Sequence, residues 1–280
     1  MASLRILSLL CALLLVGTAA QAVTLKDRFD QTVPLRPGSE VRLNNVNGGV
    51  TVEAWDRNEV HIEAEKQVRA GSSDAARKLM SQIKIDVVPG ASGLRIDTHV
   101  PKSEGGSFLG DLFNGGSVSV GESYKLHVPR QVALDVVNSN GGLDVSGTQG
   151  KAHLKTTNGG LTLREVAGTM DLKSTNGGIS VIRSSGTLKA ATTNGGINAE
   201  LTRLAAGDLS FETSNGGVSI RLPRDARFSI DAETSNGGVQ SDFPVEGGKP
   251  GKRSLQGTVN GGGSLLYIRT SNGGVHIREI

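Results

Sequence analysis

Histidines are the first residues to test for chemistry, because imidazole is a common metal ligand and general base. The five histidines lie far apart, at His61, His99, His127, His153 and His276. None belongs to an HExxH motif or to a pair with the spacing of a zinc site. We therefore interpret each as a solvated strand residue and predict no metal site.

Glycine-rich segments raise the question of a phosphate loop, since 39 of the 280 residues are glycine. None of these segments ends in Gly-Lys-Ser/Thr and leads into a helix, as a phosphate loop must. The sequence Gly-Ser-Phe-Leu-Gly at 106–110 is not the Gly-x-Ser-x-Gly elbow of a serine hydrolase. The repeated polar residue is a neutral Asn, whereas calcium-binding repeats use Asp at half this period. The sequence predicts no catalytic residue and no cofactor.

A carbohydrate-active enzyme of the β-helix type is the alternative function, because such folds host polysaccharide lyases and hydrolases. That chemistry needs clustered carboxylates or basic residues on one face of successive repeats. The outward positions that we assign to the strands mix charges, as in His153/Lys155, Asp171/Lys173 and Asp231/Glu233. We expect that the residues facing water do not repeat, which favours a non-enzymatic protein.

Composition argues against a nucleic-acid-binding protein. Thirty basic residues against 27 acidic ones give a net charge of +3, and aromatic residues make up 3% of the chain. This surplus is slight and no aromatic–basic stripe accompanies it, so we predict no nucleic-acid partner. The few aromatic residues indicate a thin, repetitively packed core.

The dominant feature is Asn-Gly-Gly, which occurs ten times. From Asn140 the intervals between copies are 18, 18, 18, 21 and 21 residues, followed by 36 to the last copy. Such a fixed period indicates stacked repeats. We predict a structural ladder of turn asparagines at Asn140, Asn158, Asn176, Asn194, Asn215, Asn236 and Asn272.

Apolar residues alternate on both sides of each turn, as in Ala152/Leu154 before Asn158 and Leu161/Leu163 after it. Period-two alternation is typical of half-buried strands. A hydroxyl residue recurs two positions before the Asn, in phase with the apolar residues, so we expect it to point inward. The fold class is all-β, a parallel β-solenoid with about 18–21 residues per coil. An antiparallel meander or sandwich is the alternative, because Asn-Gly also favours hairpins.

Residues 23–130 depart from strict repetition and are predicted to cap the first coil of a repeat region at 131–280. A Ser cap and an early Asp predict one short helix at about 73–82. A Gly/Ser-rich loop at 101–121 carries Phe108, Leu112 and Phe113. These three residues form either a contact site for a partner or a cover over the first coil.

Residues 1–22 have the features of an export signal. A basic start precedes an apolar stretch from Ile6 to Val16, and Ala20-Gln21-Ala22 is a small-x-small cleavage pattern. Cleavage between Ala22 and Val23 removes the only cysteine, Cys11, and leaves no segment long enough to span a membrane. We expect an exported protein of the periplasm, or of the cell surface or the medium.

The order of these elements resembles a bacterial family of exported β-strand-repeat proteins of unknown function that carry the name "putative adhesin". The resemblance covers about residues 41–280, through the strand–turn–strand at the start, the helix, His127-Val128-Pro129 and the Asn-Gly-Gly turns. It implies a β-solenoid, a cell-envelope setting and no established site residues. Together these features predict a non-enzymatic scaffold or interaction module that binds an envelope protein or glycan.

Two expectations concern the end of the chain. Residues 257–263 have the composition of a hairpin inserted before the last turn. The sequence stops at Ile280 in strand phase with no capping element, and an uncovered sheet edge invites pairing with another chain. We therefore predict self-association through the C-terminal coil.

Overall fold

The computed structural model describes residues 22–100, 118–248 and 251–280. Its N-terminal part contains seven strands and one helix, with α1 between β4 and β5. Their bounds are β1 Val23–Pro34, β2 Glu40–Asn47, β3 Val50–Trp55, β4 Glu59–Ala70, α1 Ser73–Gln82, β5 Lys84–Gly90, β6 Gly93–His99 and β7 Ser119–Pro129.

The remaining strands follow the Asn-Gly-Gly period. They are β8 Ala133–Asn140, β9 Leu143–Ser146, β10 Gln149–Asn158, β11 Leu161–Arg164, β12 Ala167–Asn176, β13 Ile179–Asn194, β14 Ile197–Leu204, β15 Leu209–Asn215, β16 Val218–Leu222, β17 Phe228–Asn236, β18 Val239–Ser241, β19 Ser254–Val259, β20 Ser264–Asn272 and β21 Val275–Glu279. The all-β class is confirmed, and the described residues contain one short helix.

Neighbouring repeats pair in parallel and in register. The strands before the turns form one row, in the order β2, β8, β10, β12, β13, β15, β20, β17. The strands after the turns form a second row, in the order β3, β9, β11, β13, β14, β16, β21, β18. The meander alternative requires antiparallel pairing between neighbouring strands, and none of these pairings is antiparallel.

The sheet as a whole is nevertheless mixed, so a purely parallel description is wrong. Strand β4 pairs antiparallel with both β1 and β7, β5 pairs antiparallel with β6, and β19 with β17. These pairs lie at the two ends of the parallel rows, where the repeat gives way to capping segments.

The core lies between the two rows of strands. Alternate side chains point inward, so that residues such as Leu154, Leu172 and Phe211 are fully buried. A second, smaller core of Val68, Leu79 and their neighbours lies under α1. Ser72 caps this helix by accepting a hydrogen bond of 3.2 Å from the backbone amide of residue 75.

The end of the chain does not lie at the end of the stack. Strand β20 pairs with β15 on one side and β17 on the other, and β21 lies between β16 and β18. The C-terminal coil is therefore inserted as the penultimate one, and our premise of an open edge there is wrong. The backbone amides and carbonyls of β20 and β21, which we expected to lie at an open edge, are bonded to strands on both sides.

The end of the stack is covered by the segment around β18 and β19. Phe243 is buried and packs edge-to-face on Phe228 with a ring-centroid distance of 5.4 Å. Residues 257–263 do not form a hairpin, because β19 and β20 lie on opposite sides of β17 rather than beside each other. The stack thus has a cap, which sequence analysis did not find.

Candidate functional site

The turn asparagines come together as one hydrogen-bonded row, which we call the asparagine ladder. Its members in spatial order are Asn47, Asn140, Asn158, Asn176, Asn194, Asn215, Asn272 and Asn236. From Asn140 onward, each Nδ2 donates to the Oδ1 of the preceding member, with distances of 2.6–2.9 Å. All seven predicted ladder residues are members, and Asn47 is an eighth.

Glycine after each asparagine is required by the close approach of neighbouring turns. A β-carbon on Gly159 would lie 2.1 Å from the carbonyl oxygen of Gly141. A β-carbon on Gly177 would lie 2.0 Å from the carbonyl oxygen of Gly159. No L side chain fits at these distances, so the glycines permit the stacking that aligns the asparagines.

A row of buried polar side chains supports the ladder from inside. Thr156 donates to the Gly141 carbonyl over 3.1 Å, and Ser174 donates to the Gly159 carbonyl over 2.9 Å. The same bond recurs at Thr192, Thr213, Thr270 and Thr234. These hydroxyl residues are buried in the inward phase, and each hydroxyl donates a hydrogen bond to a turn carbonyl of the neighbouring coil.

A second row of hydroxyls faces water, and sequence analysis missed it. The residue immediately before each ladder asparagine from Asn140 onward is Ser or Thr. This hydroxyl row consists of Ser139, Thr157, Thr175, Thr193, Ser214, Ser271 and Ser235, of which all but the half-buried Ser139 are exposed. Our expectation that water-facing residues do not repeat is therefore wrong. The signal was present in the sequence as the recurring Ser/Thr-Asn pair.

An open groove of about 660 Å³ runs beside the hydroxyl row, across successive strands. We call it the hydroxyl groove. Lys155 and Lys173 line it at one end, and Glu212, Glu233 and Arg269 line it at the other. Its polar walls and its course across the repeats suit an elongated ligand rather than a compact one.

Arg269 pairs with two carboxylates at the end of the hydroxyl groove that Glu212 and Glu233 line. Its Nη2 lies 2.8 Å from Asp231 Oδ2, and its Nε lies 3.5 Å from Glu233 Oε2. The hydrogen bond from Arg269 lowers the pKa of Asp231. The guanidinium also packs 4.3 Å from the centroid of the Tyr267 ring.

Two of the histidines that we interpreted as isolated come together in the N-terminal sheet. His61 and His127 face each other across β4 and β7, with ring centroids 6.1 Å apart, and Trp55 stacks 5.3 Å from His127. Glu63 Oε1 lies 3.4 Å from Nε2 of His61. Within the described ranges, no group of three or more His, Cys, Asp or Glu side chains is arranged to hold a metal ion.

The other predicted site residues fall at the start of the described chain or outside the described residues. Phe108, Leu112 and Phe113 lie outside the described residues. Ala22 is exposed, and Val23 is the first residue of β1. In the part of the chain that the structure describes, no helix is both long and apolar enough to cross a membrane.

Comparison with known proteins finds solved structures of low similarity to this chain. No curated protein matches the sequence. A crystal structure called "putative cell adhesion protein", from Clostridium sporogenes, is 11% identical, with a TM-score of 0.38, and covers 91% of this chain and 100% of its own. A "putative adhesin" from Bacteroides fragilis is 10% identical, with a TM-score of 0.36, and covers 94% of this chain and 98% of its own.

The family comparison is more direct. The family model described as Toastrack DUF4097 matches residues 131–278, which is just over half of the chain and spans the turns from Asn140 to Asn272. The protein belongs to the Toastrack DUF4097 family.

Proposed function

We propose that this protein is a non-enzymatic β-solenoid of the cell envelope that binds an extended, hydroxyl-rich polymer, of the glycan class, along the hydroxyl groove. The proposal rests on two polar rows, the hydroxyl row and the asparagine ladder. Both repeat on one face at the spacing of parallel strands, about 4.8 Å. Hydroxyl and amide groups both donate and accept hydrogen bonds, as sugar hydroxyls do.

The groove supports an elongated ligand with different chemistry at its two ends. Lys155 and Lys173 suit an acidic substituent, whereas Glu212 at the other end suits a hydroxyl or amino group. Neighbouring repeats offer nearly the same contacts, so several units of a polymer can bind at once, each with modest affinity.

Export and the division of the chain are part of this proposal. Strand β1 begins at Val23, the residue predicted to follow signal cleavage, which supports a mature chain that starts there. We propose a signal at residues 1–22, a capping region at 23–130 and a repeat region at 131–280. The family match, which begins at residue 131, supports the last boundary.

Glycan binding can be tested with the chain from Val23 onward on an array of envelope polysaccharides, followed by calorimetric titration of the best ligand. The double change Thr175→Val and Thr193→Val removes two exposed hydroxyls at nearly constant size. At about 1 kcal/mol per hydrogen bond, it should weaken binding about 30-fold. Thr162→Val, on the row of strands after the turns, is the matched control and should bind normally.

Two results would contradict the proposal. One is equal binding by the double variant and the Thr162 control, which would place the ligand elsewhere. The other is the appearance of new reducing ends or unsaturated products, which would identify a carbohydrate-active enzyme. Glu212 and Glu233, two strands apart in the same groove, are the carboxylates to replace in that case.

A further inference from the structure

The asparagine ladder has two different ends, because all its side-chain bonds point the same way. Interior Asn176 donates to Asn158 and accepts from Asn194, both over 2.8 Å. Asn236 is the last member and donates to Asn272 over 2.9 Å. Within the described residues, no donor reaches the Oδ1 of Asn236.

The backbone amide that follows each asparagine shows the same difference. Gly177 donates its N–H to the Asn194 carbonyl over 2.9 Å, and the equivalent bond recurs along the ladder. Gly237, after Asn236, has no acceptor for its N–H among the residues that the structure describes. Asn236 and Gly237 are also both exposed to solvent.

These hydrogen bonds bear on a reaction to which Asn-Gly is chemically prone. The glycine nitrogen loses its proton and attacks Cγ of the asparagine, a new C–N bond forms, and Nδ2 leaves as ammonia. Water then opens the cyclic imide to aspartate or isoaspartate. Attack requires a free glycine nitrogen and rotation of the asparagine side chain. At Asn176 that motion breaks three hydrogen bonds, whereas at Asn236 it breaks one.

We propose that Asn236 is a site of spontaneous deamidation in the folded protein and that the ladder protects its interior members from the same modification. The two additional bonds at an interior position predict a rate about 30-fold lower there, at about 1 kcal/mol per bond. Among the described residues, Asn47 at the other end lacks only the side-chain donor bond and should react at an intermediate rate.

The test is an internal comparison in the purified full chain, incubated at neutral pH while circular dichroism confirms that it stays folded. Peptide mapping by mass spectrometry separates the amide and acid forms at each ladder position. We expect acid to accumulate first at Asn236 and slowest at Asn158 and Asn176. The same chain in denaturant is the control, in which these sites should react at similar rates.

A variant extends the test into the ladder. Asn272→Ser removes the donor to Asn215 Oδ1, so deamidation at Asn215 should rise about fivefold, as expected for one bond. The proposal is overturned if interior asparagines of the folded chain react as fast as Asn236. It is also overturned if Asn236 stays unmodified in the folded chain while the denatured control reacts.

Discussion

Glu122 gives the sharpest prediction about stability. It is fully buried in β7, at the position where the repeat coils carry the first glycine of the turn. Within the described residues, neither of its carboxylate oxygens has a hydrogen-bond partner. Lys66 lies opposite it in register, but the Lys66 ammonium pairs with Asp27 over 2.6 Å. Burial raises the pKa of Glu122 from 4.5 to about 7.

The sign of the pH dependence follows from this shift. The folded state holds the Glu122 proton more tightly than the unfolded state does. Below pH 4.5 Glu122 therefore does not lower the free energy of unfolding, and the free energy of unfolding falls as the pH rises through about 7. At 1.36 kcal/mol per pKa unit, the loss above that pH is about 3 kcal/mol. Glu122→Gln keeps the shape and removes the charge, so the variant should lose this dependence.

Denaturant unfolding of both proteins between pH 4.5 and pH 8.5 measures the effect. We expect similar free energies of unfolding at the acidic end and a variant more stable by about 3 kcal/mol at the basic end. Glu212→Gln, a change of an exposed carboxylate, is the control and should show no such divergence. A difference between wild type and Glu122→Gln that stays constant with pH would refute the reasoning.

Three further predictions concern the stacking itself, all measured by denaturant unfolding. Gly159→Ala places a β-carbon 2.1 Å from a backbone carbonyl oxygen and should destabilise the fold by about 3 kcal/mol or more. A β-carbon at Gly160 would lie 3.3 Å from its nearest atom, so Gly160→Ala should be much milder. Phe243→Ala opens a cavity in the cap and should cost about 3–5 kcal/mol. Asn176→Ala breaks two ladder bonds and Asn236→Ala breaks one, so the losses should be about 2 and about 1 kcal/mol. Equal losses within the glycine pair or the asparagine pair, or an unchanged free energy for the Phe243 variant, would contradict these expectations.

Much of the repeat region could be predicted from the sequence because each position pairs with its own copy. The 18-residue interval between Asn158 and Asn176 is also their register in the sheet. The helix at 73–82 was equally visible from its cap and its first-turn Asp. Local signals and a fixed period determine both features, so no knowledge of distant contacts was needed.

The missed features depend on contacts between distant segments. The interval of 36 residues between Asn236 and Asn272 shows that a segment is inserted, but not which of the two coils lies at the end of the stack. The pairing of His61 with His127 follows from an antiparallel register between β4 and β7, which are separated by α1, β5 and β6. The hydroxyl row, by contrast, could have been predicted from the sequence, since a Ser or Thr stands directly before each ladder asparagine from Asn140 onward.

Parallel, in-register stacking is the claim on which the groove, the ladder and the proposed function all depend. Engineered disulfides in the chain from Val23 onward test it directly, because Thr162 and Ser180 are Cα partners on neighbouring strands, whereas Asn198 lies one strand further. Thr162→Cys with Ser180→Cys should oxidise to an intramolecular disulfide without loss of folding, since Cα atoms about 5 Å apart allow one. Thr162→Cys with Asn198→Cys should not form a disulfide, because their Cα atoms lie about 10 Å apart. Crosslinking of the second pair but not the first, in folded protein, would contradict the account.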